Sequence, residues 1–143
     1  MPAELALGLL TALATSVTAA ISLLRYRKWR KTQQRAYVRA ELIQAFVPNR
    51  NGKLRTQHQL RLVNDGPAAA QNIRLLIDGQ QVEKQSQRGM VLILSEVPQF
   101  LEPKAHVSLN LALTIGGEIP KLITVIWDDL SGVNHSYSIP FTL

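Results

Sequence analysis

The chain has 143 residues, 16 Lys or Arg against 10 Asp or Glu, a formal net charge of +6 and no cysteine. That length accommodates one domain of ordinary size plus a short appendage. The absence of cysteine excludes structural disulfides, thiolate metal sites and a cysteine nucleophile.

The run from Leu5 to Leu24, LALGLLTALATSVTAAISLL, carries no charge. At about 1.5 Å per residue it would span about 30 Å, the hydrocarbon thickness of a bilayer. Thr11, Thr15, Ser16, Thr18 and Ser22 lower its hydrophobicity, but in a helix their hydroxyls can bond the carbonyls of the preceding turn. A core helix of a soluble protein would keep a polar face. A cleaved signal would need a positive leader and a shorter apolar core. Here the leader is Met-Pro-Ala-Glu, and a cut at Ala12-Leu13-Ala14 would halve the run. The expectation is a retained transmembrane helix over residues 1–24. Gly8 and Ala12 form a small-x-x-x-small pair, which offers a homo-oligomer a route through the helix.

Seven Lys or Arg then fall between Arg25 and Arg39, with no acid among them. From Ala40 onward the two signs balance, so the high net charge belongs to one short segment. A nucleic-acid-binding domain would spread basic charge over a folded surface or groove, so no nucleic-acid partner is expected. Residues 25–36 read instead as a basic juxtamembrane segment. Arg25, Arg27, Lys28, Arg30, Lys31 and Arg35 would be retained on the cytoplasmic side, and Tyr26 and Trp29 are interfacial anchors. The expected topology is single-pass in the inner (plasma) membrane, with the N-terminus outside and the rest of the chain in the cytoplasm. Each basic residue near anionic lipid headgroups adds about 1 kcal/mol of attraction.

Between Lys31 and Val47 two periods compete. Val38, Leu42 and Phe46 fit a helix face, and with Ala40 they fit a strand face. A first strand is placed at Tyr37 to Val47. PNRNGK is a turn signal centred on Asn51-Gly52. In KLRTQHQLRLVN, His58, Leu60 and Leu62 share one face. After DGPAAAQ, NIRLLID places Ile73, Leu75 and Ile77 together and ends at Asp78-Gly79. VEKQSQRG is a polar loop, MVLIL a short strand and EVPQFLEPK a loop. HVSLNLALTI turns Val107, Leu109, Leu111, Leu113 and Ile115 inward. KLITVIW is a continuous apolar strand and DDLSG a turn. VNHSYSIPFTL places Tyr137, Ile139, Phe141 and Leu143 on one face. These seven strands predict a mainly β fold over residues 37–143, with two antiparallel sheets around one core.

One stretch has a specific resemblance. Val63, Asn64 and Gly66, then Ile77, Asp78, Gly79 and Val82, then Leu101 and Pro103, resemble the pattern of bacterial immunoglobulin-like domains of the CARDB adhesion-module type. The glycine that follows the proline in that family is Lys104 here. The resemblance implies a seven-stranded immunoglobulin-like β-sandwich, and it implies no ligand.

Little in the sequence points to chemistry. His58, His106 and His135 sit on separate strands without ligand spacing, so no metal is expected. Asp128, Asp129, Ser131 and Asn134 surround Gly132, but a calcium loop needs more oxygens in a fixed pattern; a turn accounts for them. Ser131, Asp129 and His135 are the residue types of a hydrolytic relay, without a nucleophile elbow or an oxyanion loop. No phosphate-binding glycine loop precedes a helix, and no cofactor is expected. The function expected is a non-enzymatic, membrane-anchored binding or scaffolding module with a protein partner. Its contact points would be the loops Glu83 to Gly89, Asp65 to Gln71 and Glu96 to Lys104, or a sheet edge. The alternative is an envelope, adhesion or membrane-complex accessory subunit with the sandwich on the outer face.

Overall fold

The computed structural model describes residues 3–142 and divides the chain into two compact units, the first ending at Gln33. The first unit is one helix, α1 (Ala3–Gln33), with no buried residue. It is long and apolar enough to cross a membrane, with a mean hydropathy of 1.9 over its most apolar window. Large apolar side chains such as Leu7, Leu10 and Leu13 are each more than half exposed. Each would gain about 1.5–3 kcal/mol on leaving water for an apolar medium. The hydroxyls turn inward as expected: Thr11 Oγ1 donates to Leu7 O at 3.0 Å, Thr15 Oγ1 to Thr11 O at 2.8 Å and Thr18 Oγ1 to Ala14 O at 2.8 Å. The helix does not stop at Leu24. Arg25 to Lys31 form its last turns, because Arg, Lys and Gln are good helix formers and no glycine or proline interrupts them.

The second unit is mainly β. Its strands are β1 (Val38–Pro48), β2 (Leu54–Asn64), β3 (Ala70–Ile77), β4 (Gln80–Val82), β5 (Gln87–Arg88), β6 (Val91–Ile93), β7 (Phe100–Leu101), β8 (His106–Leu113), β9 (Leu122–Asp129) and β10 (Gly132–Pro140). One sheet has the order β1-β2-β8-β6-β5, the other β10-β9-β3-β4, with β7 also pairing β3. All the pairings are antiparallel. The expected count of seven strands is corrected to ten. The three additions, β4, β5 and β7, are only two or three residues long and too short to show a period. They lie in stretches read as turn or loop, where backbone pairing rather than side-chain pattern makes the strand.

Alternation places the core as period two requires. Leu60 and Leu62 of β2, Ile73, Leu75 and Ile77 of β3, Leu109 and Leu111 of β8, and Ile123, Val125 and Trp127 of β9 are all buried in one cluster between the sheets. Ile115, expected inward, is fully exposed because β8 ends at Leu113 and Ile115 lies in the following turn. Leu143 lies outside the described residues. The hairpin between β3 and β4 turns on Asp78 and Gly79, both with positive φ (50° and 79°), the two-residue geometry that matches strand twist.

The end of the sandwich where the chain enters it, the proximal end, is organised by Asn64, which is fully buried. Its Oδ1 accepts from Tyr37 N (3.1 Å) and Gly66 N (3.0 Å). Its Nδ2 donates to Ala68 O (2.8 Å) and Leu101 O (3.1 Å). One side chain thus joins the start of β1, the β2–β3 turn and β7. Gly66 is required here: a Cβ would lie 2.6 Å from Arg35 O and Tyr37 N. Replacing Asn64 by Ala strands several buried donors and acceptors, each costing about 1–3 kcal/mol. Urea unfolding of the full chain in detergent should show Asn64→Ala destabilised by at least about 3 kcal/mol, and Gly66→Ala should unfold at lower urea than wild type.

Candidate functional site

The proximal end also carries a connected network of polar side chains around Asp129. Asp129 closes β9, and its side chain is 1% exposed. Its Oδ1 accepts from Ser131 N (2.8 Å), Ser131 Oγ (2.6 Å) and Gly132 N (3.1 Å) and lies 3.1 Å from His135 Nε2. Its Oδ2 accepts from Ala36 N at 2.8 Å. Burial opposes ionisation of this carboxyl, but the Ser131 hydroxyl and the amides of Ala36 and Ser131 outweigh it and hold it below the usual carboxylate range. Asp128 is also held low, first by the Asn134 amide (2.8 Å), then by the Asn72 side chain (3.0 Å), with Arg74 at 3.4 Å adding to both.

Ser131, Asp129 and His135 therefore do meet, but not as a relay. A relay needs the acid on one imidazole nitrogen and the hydroxyl on the other. Here Ser131 Oγ (3.3 Å) and Asp129 Oδ1 both approach Nε2, and Ser131 bonds Asp129 directly. The arrangement stabilises a two-residue hairpin turn at Leu130 and Ser131. Among the described residues no group of three or more His, Cys, Asp or Glu is placed to hold a metal ion.

Beside this network lies a mainly apolar groove of about 630 Å³, lined by Arg35, Tyr37, Arg39, Trp127, His135 and Tyr137 among others. It sits at the seam between the outer strands β1 and β10. The Trp127 and His135 rings are 5.9 Å apart. Trp127 Nε1 is buried and has no hydrogen-bond partner among the described residues. Arg39 is held by Asp65 and by Glu41 (2.8 Å), which raise its pKa above its ordinary value, Asp65 contributing most. Arg35 is exposed at the groove. A second, more polar hollow of about 370 Å³ brings together two of the loops expected to meet a partner, through Glu83, Lys84, Glu96 and Gln99.

Of the residues expected at the membrane interface, Arg25, Tyr26, Arg27, Lys28, Trp29, Arg30 and Lys31 are exposed on α1, while Arg35 belongs to the β unit. At about 100° per residue the five charges spread around most of the helix, and Tyr26 and Trp29 share the remaining side; their rings are 6.1 Å apart. Sequence reasoning missed the groove aromatics, because Tyr37, Trp127 and Tyr137 come from three strands and converge only through sheet pairing.

Residues 4–143 match the model of a family described as a domain of unknown function (DUF8453), and the chain belongs to that family. No curated protein matches it significantly. Among solved structures it is similar to a chain of the archaeal flagellum of Methanospirillum hungatei strain JF1. The identity is 12% and the TM-score 0.34, over 97% of this chain and 89% of that one.

A carboxylate with a lowered folded pKa contributes stability above the unfolded value, about 4, and loses it as pH falls through the folded value. Stability should therefore be flat from pH 7 to about 5 and fall below about 4. In chemical unfolding at stepped pH, Asp129→Asn should cost about 2 kcal/mol at pH 7 and show a shallower acid limb than wild type.

Proposed function

We propose that the protein is a single-pass membrane-anchored binding module without catalytic activity of its own. In this reading α1 crosses the inner (plasma) membrane with its N-terminus outside, and the β-sandwich stands in the cytoplasm and recruits a protein partner. The observation that carries it is the fixing of residues 35–37 onto the sandwich only one residue, Gln34, after the last residue of an apolar helix. The orientation is supported by the positive charge, all of it C-terminal to the apolar run. Binding is supported by the aromatic groove, with an indole donor that has no partner among the described residues and an exposed arginine.

The immunoglobulin-like reading has its own support. With the long strands and β6 lettered A to G in chain order, one sheet runs A-B-E-D and the other G-F-C. With β4, β5 and β7 set aside, that order matches the four-plus-three arrangement of constant-type immunoglobulin domains, which supports the reading. The positions that resemble CARDB-type domains are working positions: Asn64 is the buried hub, Gly66 the close approach, and Asp78 Oδ1 accepts from Lys121 N and Leu122 N. Lys104, where that family has glycine, holds φ at 63°.

Single cysteines at Ala3 and Thr56, treated with an impermeant thiol reagent on intact cells, test the orientation. Ala3→Cys should label and Thr56→Cys should not; the reverse pattern would put the sandwich outside and favour the envelope reading. A photo-crosslinking residue at Tyr137 should give a discrete protein adduct in cells, against none at distal Gln80. Equal yields at both positions would remove the groove from the proposal.

A further inference from the structure

The turn between β9 and β10 is an unusual place for apolar side chains. Two-residue hairpin turns favour Gly, Asn, Asp and Ser, yet Leu130 stands there 74% exposed and Val133 follows 70% exposed. Neither is free to fold back. Asp129 Oδ1 holds the turn by the Ser131 and Gly132 amides. A bulge between Gly132 and His135, with Asn134 at φ 56°, displaces Val133 from regular pairing. On the far side of the bulge Asn134 N donates to Asp128 Oδ1, and Asn134 Oδ1 accepts from Arg74. The turn is a rigid apolar tip.

We infer that this tip, Leu130 with Val133, enters the interfacial layer of the same bilayer that α1 crosses, as a second membrane contact. The inference rests on the anchoring proposed above. Chain connectivity allows it. Asp129 Oδ2 is 2.8 Å from Ala36 N, and Ala36 is three residues beyond the end of α1. Three residues span at most about 11 Å, so Leu130 is tethered within about 20 Å of Gln33. From Leu24 to Gln33 the helix rises only about 13 Å, so the tether is longer than that rise. Charge permits it as well. The two acids beside the tip are both engaged, Asp129 buried in its hydrogen bonds and Asp128 paired with Arg74, Asn72 and Asn134. Neither leaves a free carboxylate facing anionic headgroups. A lipid interface also suits the composition, two aliphatic side chains flanked by Ser131 and Asn134.

The chain has no cysteine of its own, so single cysteines can carry an environment-sensitive fluorophore in the full chain. Leu130→Cys and Val133→Cys would be compared with Leu13→Cys in α1 and with Ile115→Cys, equally apolar and fully exposed at the opposite end of the sandwich. The protein would be reconstituted in phosphatidylcholine–phosphatidylglycerol vesicles with nitroxides at shallow or deep positions. Leu13 should be quenched by the deep nitroxide. Leu130 and Val133 should be quenched by the shallow one several-fold more than Ile115. If Leu13 is quenched while the tip labels behave like Ile115, the second contact is overturned and the anchor stands. If Leu13 is not quenched either, the anchoring reading fails and the inference with it.

Discussion

Four hydrogen bonds to the backbone of residues 35–37 hold the start of the β unit in place. Ala36 N donates to Asp129 and Tyr37 N to Asn64, while Tyr37 O accepts from Asp65 N and Arg35 O from Ala68 N. Both side-chain acceptors are buried, so losing either bond would leave a polar group without water to replace it. The same two side chains also hold the β2–β3 turn, β7 and the β9–β10 turn. The first strand, two turns and a sheet edge therefore share one polar scaffold. Its consequence is covalent: a flexible tether lets a domain roam over a distance that grows with the square root of its length, and here only Gln34 separates the helix from the clamp.

Asp129 and His135 are spent on this scaffold. A general acid or base must lie within hydrogen-bond reach of the proton it moves on a substrate. Asp129 has both oxygens occupied and its carboxyl held firmly ionised. His135 is bonded through the nitrogen that a relay would need free for the hydroxyl. This use of hydrogen bonds fits a proposed binding role, in which rigidity in the unbound state lowers the entropy lost on association.

Much of the fold was legible because its signals are local. An uncharged run of bilayer length, a block of basic residues and alternation in β2, β3, β8 and β9 each follow from one stretch of chain. What was not legible depends on pairing. β4, β5 and β7 are strands only because a neighbour supplies backbone partners. The end of α1 was obscured because Val38, Leu42 and Phe46 fit both periods and no glycine or proline falls between Gly8 and Pro48; the helix ends where residues 35–37 are bonded to the sandwich, over a distance no local pattern shows. For the candidate site, DDLSG was readable as a turn and Asn64 as part of a motif. That Asp129 would reach Ala36, 93 residues away in sequence, was not written in any local pattern. Arg35 was singled out for its charge, and its place beside Tyr37 and Tyr137 came only from the seam between two strands.

That seam also bears on what kind of partner the groove suits. Each sheet has one stub edge and one long edge. β5 and β4 are two and three residues, whereas β1 and β10 are eleven and nine. Long edges present unpaired N–H and C=O groups, and proteins usually blunt them with lysine, proline or bulges. β10 is blunted, with a bulge near its start and Pro140 at its end. β1 also ends in a proline, Pro48, but it has no bulge, and Leu42 to Val47 before the proline is an uncharged stretch on which Phe46 is 68% exposed. The groove lies where these two edges begin. An extended peptide could place a side chain against Tyr37 and Tyr137 and continue along β1 through backbone hydrogen bonds. A compact small molecule would use the groove and leave the edge bare. The long, uncharged part of the β1 edge is therefore the reason to favour a protein segment over a small ligand as the partner in the proposed role.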